Sequence, residues 1–558
     1  MDRIYREALN AHPDACAIVD PQGEIVTFAQ FDQRVRATAQ RVRATADWLT
    51  DQGVKRGDRL AIWLINRPDW LVMLFAAARL GAIVLATNTR FRAHELQHIL
   101  SQARVRWLVM QTGFRKLDFA AIVDEIAAGA LPDLQHVIML DASADSPAQV
   151  LGKPVTRYPT ASWAPRASAR RHDYDHEQDH AHGHRRDDGQ SDSGDTPELP
   201  VILFTTSGTT KGPKLVLHTQ ATLVRHTLAV SEGWQMKGEG NGLLAALPLC
   251  GVFGLNSALG ALAAGIPIVM LDVFNADDAN AALLRHRSSH LYATDEMLRR
   301  MADAWPAGRK AALKKVGFAA FSPGSSDLAQ RMAPMGFPLL GLYGSSEVQA
   351  LFSYQDPALP ETERTLGGGR PVSFTHVHVR ARHPERQTLC AVGEAGELEI
   401  SAPTNFPGYL DNDDATRAAH TADGYFKTGD LGYVREDGSF VYLARMGDAL
   451  RLGGFLVDPT EIEYALTQYA GVSAAQVVGL NIGGTLQPVA FVQSPDPAAN
   501  TQAMRDALAA HVAPFKVPAR IWMIDEFPST ASANGTKFQR VKLRDMALQR
   551  LSDEVQRA

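Results

Sequence analysis

The sequence predicts an α/β protein with a large N-terminal unit and a smaller α+β unit after about Arg445. Short strand-like runs alternate with longer helical patterns from Ala17 to Met110, and the alternation resumes after Pro200 and continues to about Arg445. The remainder differs. It holds helical patterns near Pro459 to Tyr469 and at Thr501 to Val512, with strand-like runs at Ala475 to Leu480 and Val489 to Gln493.

In chain order, Ala17-Ile18-Val19 and Ile25-Val26-Thr27 are β-type in composition, and Phe28 to Trp48 carries apolar residues at helical spacing. Leu60-Ala61-Ile62-Trp63-Leu64 returns to strand, Asp69 to Leu80 is helical, and Ala82-Ile83-Val84-Leu85 is strand again. The most apolar stretch, Leu71 to Thr87, is interrupted by Arg79 before it reaches membrane-spanning length. It reads as a buried helix running into a strand, so no transmembrane segment is expected. Met1-Asp2-Arg3 leads into polar sequence without the apolar core of a secretory signal, and a cytoplasmic protein is expected.

Composition narrows the classes. A chain of 558 residues is too long for one small binding module, and 45% apolar with 21% charged residues suits a soluble globular protein. The net charge of -5 supplies no electrostatic reason for a nucleic-acid partner. Cys16, Cys250 and Cys390 are odd in number and far apart, which suits neither a disulfide framework nor a zinc cluster and points to a reducing compartment. Arg166 to Thr196 has almost no large apolar residue, cannot bury enough surface to offset its ordering entropy, and is expected to be a disordered insertion. Its His172, His176, His180, His182 and His184, interleaved with Asp173, Asp175 and Asp179, fit either a metal-binding tract or a solvated loop of biased composition.

After the buried strand Val201-Ile202-Leu203-Phe204 comes Thr205-Thr206-Ser207-Gly208-Thr209-Thr210-Lys211-Gly212-Pro213-Lys214. Glycines let backbone N–H groups approach an anion, hydroxyls donate further hydrogen bonds and lysines add charge. The spacing is not that of a Walker A loop, because three residues separate Gly208 from Gly212 and Pro213 stands where that lysine should be. A phosphate-binding loop competes here with a plain Gly/Ser/Thr surface loop.

This stretch resembles the signature loop of the adenylate-forming superfamily, which includes acyl-CoA synthetases. Other segments match the same family in order: Gly341-Leu342-Tyr343-Gly344-Ser345-Ser346-Glu347, Tyr425-Phe426-Lys427-Thr428-Gly429-Asp430, Arg445 through Asp448 to Gly453-Gly454-Phe455 and Glu461-Ile462-Glu463, and Asn534-Gly535-Thr536-Lys537. The likeness runs from about Ala17 to Asp545, outside the His-rich segment. It implies a large multi-sheet adenylation domain at 1–445, with 166–196 inserted, and a smaller mobile domain at 446–558.

The implied reaction joins a carboxylic acid to ATP as acyl-AMP, releases pyrophosphate, and transfers the acyl group to the thiol of CoA. Ser207, Gly208, Thr209, Thr210 and Lys211 would hold phosphates, and Glu347 would hold Mg²⁺, a hard ion suited to one carboxylate plus phosphate oxygens. Tyr343 would offer its face to adenine, with Gly324-Ser325-Ser326 as the turn near the base and Gly344, Ser345 and Ser346 completing the nucleotide segment. Asp430 and Arg445 would bind the ribose. Lys537 would neutralise charge growing between carboxylate and α-phosphate, and it stands with Thr206 and Glu347 as a catalytic candidate. For Glu347, Asp430 and Lys537 the competing readings are a surface glutamate, a turn-forming aspartate and a solvated lysine.

Departures from the family pattern bear on the acyl and hinge sites. In Pro248-Leu249-Cys250-Gly251-Val252-Phe253, Cys250 and Gly251 replace the phenylalanine and histidine found in many acyl-CoA synthetases, which suggests more room beside the carboxylate in a pocket that includes Phe253. Cys250 reads as a packing residue rather than a nucleophile. Gly447 takes the hinge position, and Gly453-Gly454, followed by Phe455, suits either a narrow pantetheine tunnel or a tight turn. Two alternatives stay open: an adenylating enzyme that loads a carrier-protein thiol, and a non-catalytic nucleotide- or metal-binding protein using the His-rich tract.

Overall fold

The computed structural model describes residues 1–44, 54–115, 117–127, 129–142, 146–158, 198–205, 214–319, 325–372, 375–446, 450–452, 455–457, 459–482, 485–496, 499–509, 512, 514–532 and 535–557. The expected insertion at 166–196 lies outside them.

Two large mixed sheets, of 13 and nine strands, build the N-terminal unit. In the nine-stranded sheet, Arg59–Trp63 pairs in parallel with Ile83–Ala86 and with Trp107–Gln111, as expected of strands separated by helices. The helix Pro68–Leu80 is buried along nearly all its length and ends at Gly81 in left-handed backbone (φ 70°), from which the chain enters Ile83–Ala86. The apolar run from Leu71 is therefore a core helix and strand. Pro200–Thr205 joins the same sheet parallel to Ile83–Ala86 and antiparallel to Leu215–Thr219, so the hydroxyl- and glycine-rich segment connects two adjacent strands.

The 13-stranded sheet begins as expected. His290–Thr294, Lys315–Ala319 and Leu339–Ser345 pair in parallel, with helices between them in sequence. The alternation expected as far as Arg445 stops at Leu339–Ser345. From there every strand pairing in this sheet is antiparallel, and among the described residues only two short helices, Glu361–Arg364 and Asp413–Ala418, intervene. A hairpin needs only a few connecting residues, whereas a parallel crossover needs a dozen or more. The five residues 435–439 between Phe426–Val434 and Phe440–Arg445 permit only the former.

The C-terminal unit closes on its own core. Its three-stranded sheet, Ala474–Ile482, Thr485–Gln493 and Arg520–Met523, sends alternate residues to two faces. Val477 packs with Ile462, Leu466, Met504 and Leu508 on one face, and Val478 packs with Phe491, Phe527 and Leu543 on the other. The helix expected to reach Val512 is described over Thr501–Ala509, and the Val512 N–H bonds the Leu508 carbonyl at 3.1 Å in helical register; an additional helix, Arg540–Arg557, covers the second face. Among the described residues, no helix is long and apolar enough to cross a membrane.

Among the described residues, four histidines are buried in the large unit, His136, His218, His226 and His290, and in the last three the effect on charge is large. Burial lowers the pKa of His218, His226 and His290 from 6.5 to about 4, partly offset by hydrogen bonds to backbone carbonyls. Below pH 6.5 the unfolded chain takes up protons that the folded chain refuses, so stability present above 6.5 is lost as pH falls toward 4. Each of these three histidines contributes up to about 3 kcal/mol to this loss, from 1.36 kcal/mol per pKa unit. Urea unfolding between about pH 7 and about pH 4.5 should show the decline, and a flat profile would contradict buried neutral imidazoles.

Candidate active site

The segment 206–213, with Thr206, Ser207, Gly208, Thr209, Thr210 and Lys211, lies outside the described residues, but the strands that carry it are described. Lys214, at its end, places Nζ 4.6 Å from the centre of the Tyr409 ring. Tyr409 lies on the short strand Gly408–Tyr409, paired with Val216 of Leu215–Thr219. Its hydroxyl donates to Glu347 Oε1 at 3.0 Å. Lys214, Tyr409 and Glu347 thus form a line from the start of the strand Leu215–Thr219 to a carboxylate. No motif reading had singled out Tyr409; the tight Pro407-Gly408-Tyr409 sequence was its only local signal.

Glu347 sits in the turn between Leu339–Ser345 and Gln349–Tyr354. Ser345 Oγ accepts the N–H groups of Glu347 (3.2 Å) and Val348 (3.3 Å), which fixes the turn. Gly344 is required for the close approach of the two strands, since a Cβ there would stand 2.6 Å from the Ala350 backbone. The Glu347 residue is only 9% exposed, and among the described residues it has no ion-pair partner. A buried carboxylate without a counter-cation is costly unless something neutralises it. Glu347 is not the surface glutamate of the competing reading. Among the described residues no group of three or more His, Cys, Asp or Glu could enclose a metal ion. One buried carboxylate fits Mg²⁺, which takes few protein ligands together with phosphate oxygens and water.

Asp430 lies on Phe426–Val434 directly across from Arg445 on Phe440–Arg445. Its Oδ2 accepts from the Tyr343 hydroxyl at 2.5 Å, and its Oδ1 accepts from Arg445 Nη1 at 2.7 Å. Arg445 Nη1 also donates to the Thr428 carbonyl at 2.7 Å. Burial, and then the Asp430 carboxylate, push the Tyr343 pKa well above its ordinary value. The sequence reading has Tyr343 present a face to adenine and Asp430 an open carboxylate to ribose. In the structure Tyr343 is buried, with Phe440 edge-on and Tyr442 tilted against its ring, and both Asp430 oxygens carry a protein donor. A carboxylate has about four acceptor sites, so further donors can still bind. Gly324 lies outside the described residues, and Ser325 and Ser326 open the helix Ser325–Met332 rather than lying in a free turn.

Cys250 and Gly251 precede the helix Val252–Ala264, with Gly251 at its N-cap. Asn66 holds this segment, donating to the Leu247 carbonyl (2.9 Å) and accepting the Leu249 N–H (2.7 Å). Burial raises the Cys250 thiol to about 11, so it stays protonated and is a poor nucleophile. Phe253 is buried, its ring 6.4 Å from that of Tyr292. Asn256 on the same helix bonds Gln349 and Ala350, which ties the Phe253 helix to the Glu347 turn.

In the C-terminal unit, Lys537 lies on Gly535–Phe538, paired with Thr530 of Ser529–Ser532, and Phe455 begins Phe455–Val457. Gly447, Gly453 and Gly454 lie outside the described residues. The Tyr464 hydroxyl, on the helix Pro459–Thr467, donates to Asp327 of the large unit at 2.8 Å.

A two-unit α/β chain with these segments belongs to the AMP-binding enzyme family: residues 5–410 match the AMP-binding enzyme and residues 461–534 its C-terminal domain. Within it, the chain is 28% identical to 2-succinylbenzoate–CoA ligase of Geobacillus kaustophilus, over 90% of this chain and 91% of that one. It is 27% identical to 4-chlorobenzoate–CoA ligase of an Arthrobacter species, over 94% and 92%. The fold is that of o-succinylbenzoate coenzyme A synthetase of Bacillus subtilis, solved with ATP and magnesium ion, at TM-score 0.72 and 21% identity over 94% of this chain and 96% of that one.

Proposed function

We propose that this chain is an ATP-dependent carboxylate–CoA ligase. The observation that carries the reading is the buried Glu347, which has no ion-pair partner among the described residues and is linked through Tyr409 to Lys214 at the end of the phosphate-loop segment. The two CoA-ligase relatives support it. A carboxylate oxygen attacks the α-phosphorus of ATP, a new O–P bond forms, and pyrophosphate departs. The CoA sulfur then attacks the acyl carbon, a C–S bond forms, and AMP leaves with the electrons of the broken C–O bond.

On this reading Ser207, Gly208, Thr209, Thr210 and Lys211 bind the β- and γ-phosphates, while Lys537, with Thr206 as a further catalytic residue, neutralises the reacting oxygens. Mg²⁺ held by Glu347 and phosphate oxygens would supply charge neutralisation at the nucleotide. Asp430 and Arg445 orient the ribose, with Tyr343 holding Asp430 in place. Residues 1–445 bind ATP and acid, and 446–558 move about Gly447 to bring Lys537 and then Gly453, Gly454 and Phe455 to the site. The segment 166–196 is a dispensable insertion. The use of ATP and CoA supports a cytoplasmic enzyme.

A pyrophosphate-release screen over fatty, branched and aromatic acids tests the reading, followed by comparison of CoA with a carrier protein as acceptor. Acid-dependent pyrophosphate and a CoA thioester are expected. Pyrophosphate release with thioester on the carrier protein alone would reassign the acceptor, and no release with any acid would overturn the function.

The acyl pocket carries its own prediction. Gly251 has no side chain where many acyl-CoA synthetases have histidine, so Gly251→His should lower kcat/KM for bulky acids more than for acetate or propionate. A uniform fall across acids would remove Gly251 from the pocket.

A further inference from the structure

Directly after Glu347 the chain adopts a conformation that ordinary residues avoid. Gln349 (φ 68°) and Leu351 (φ 62°) are both left-handed, and both are fully buried. For a bulky residue such as leucine this is an outlier, and backbone of this kind persists only where the surroundings over-determine it.

The surroundings here are neutral polar side chains from one strand and two helices. His226, on Gln220–Gly233, donates from Nε2 to the Ala350 carbonyl at 2.7 Å. Gln349 Nε2 donates to the carbonyls of Thr222 (3.0 Å) and Thr404 (3.2 Å). Its Oε1 accepts from Asn256 Nδ2 at 3.2 Å, and Asn256 Oδ1 accepts the Ala350 N–H at 3.0 Å. On the near side of Glu347, His218 Nε2 donates to the Ser346 carbonyl at 2.7 Å, and its Nδ1 lies 3.3 Å from Thr222 Oγ1. His218 belongs to Leu215–Thr219, the strand that leaves the phosphate-loop segment.

We propose that His218, His226, Asn256 and Gln349 are positioning residues that set the Glu347 carboxylate against the phosphate-loop strand. The inference rests on the reading of Glu347 as the residue that meets Mg²⁺–ATP. Three features support it over a purely structural role. The frame grips the backbone on both sides of Glu347, at 346 and 350, rather than one end of a strand. One of its members comes from the phosphate-loop strand itself, so a 2.7 Å hydrogen bond ties that strand directly to the backbone beside Glu347. The backbone strain lies two and four residues from the carboxylate, where a relaxed hairpin would have satisfied folding alone.

The test measures Mn²⁺ binding by electron paramagnetic resonance in the full chain loaded with α,β-methylene-ATP, alongside melting temperature. His218→Leu removes the donor to Ser346, and Gln349→Asn tolerates left-handed backbone but is too short to span the Thr222 and Thr404 carbonyls. Each should weaken Mn²⁺ binding by about 10-fold or more, the scale at which outer partners tune metal sites, while His218→Gln, which keeps an amide donor, should restore most of it. Glu347→Gln is the control that separates the two readings. If Glu347→Gln leaves Mn²⁺ binding unchanged, the metal role of Glu347 fails. If Glu347→Gln weakens binding but either folded frame variant binds Mn²⁺ as wild type does, the positioning frame is overturned and the metal role stands. Should His218→Leu fail to fold, Gln349→Asn decides the matter by the same readout.

Discussion

Lys537→Ala should lower acyl-AMP formation by roughly two to three orders of magnitude, yet leave conversion of supplied acyl-AMP and CoA to thioester near wild type. The first half-reaction brings a carboxylate and a triphosphate together, and a lysine there offsets charge that grows in the transition state. The second needs only a thiol path and a leaving AMP. Gly454→Trp should do the reverse, releasing pyrophosphate and accumulating acyl-AMP while thioester formation fails. Rapid-quench measurement of the separate steps distinguishes the two variants. Equal damage to both half-reactions by both variants would remove the alternating-domain assignment and favour one fixed site.

Asp430→Ala should weaken ATP binding by about 10- to 100-fold, the value of one or two hydrogen bonds to a charged group, and also lower stability by about 1–3 kcal/mol. The second effect follows from the Tyr343 hydroxyl, which is buried and would lose its acceptor. Arg445 adds less, because its side chain is about half exposed and can turn to water. Asp430→Asn separates the roles. Its amide oxygen can still accept from Tyr343, so stability should return while nucleotide affinity stays low. Calorimetric titration with ATP and chemical unfolding read the two quantities independently. An Asn variant with wild-type ATP affinity would show that the carboxylate serves the fold alone.

The difference between what was legible in the chain and what was not is the difference between local and long-range information. Ile25–Thr27, the Pro68–Leu80 helix and the Pro200–Thr205 strand follow from residue type and period over a few neighbours. The partners of Glu347 do not. Tyr409 lies 62 residues away and reaches the carboxylate only because its short strand pairs with Val216. His226 and Gln349 were not singled out in the sequence, since a buried polar contact to a backbone carbonyl leaves no periodic trace. The antiparallel extension beyond Leu339–Ser345 was also misread, because half-buried hairpin strands and α/β strands share the same composition.

The two faces of the C-terminal sheet are each covered from within that unit, by Ile462 and Met504 on one side and Leu543 and Ala547 on the other. Among the described residues, no apolar residue of either cluster comes from the large unit. The proposed turning of the smaller unit would expose neither of these clusters, and would break the hydrogen bond from Tyr464 to Asp327. One exposed hydrogen bond contributes about 0.5–1.5 kcal/mol, comparable to thermal energy. In the domain alternation proposed above, the bound reactant would select the orientation through its own difference in affinity for the two.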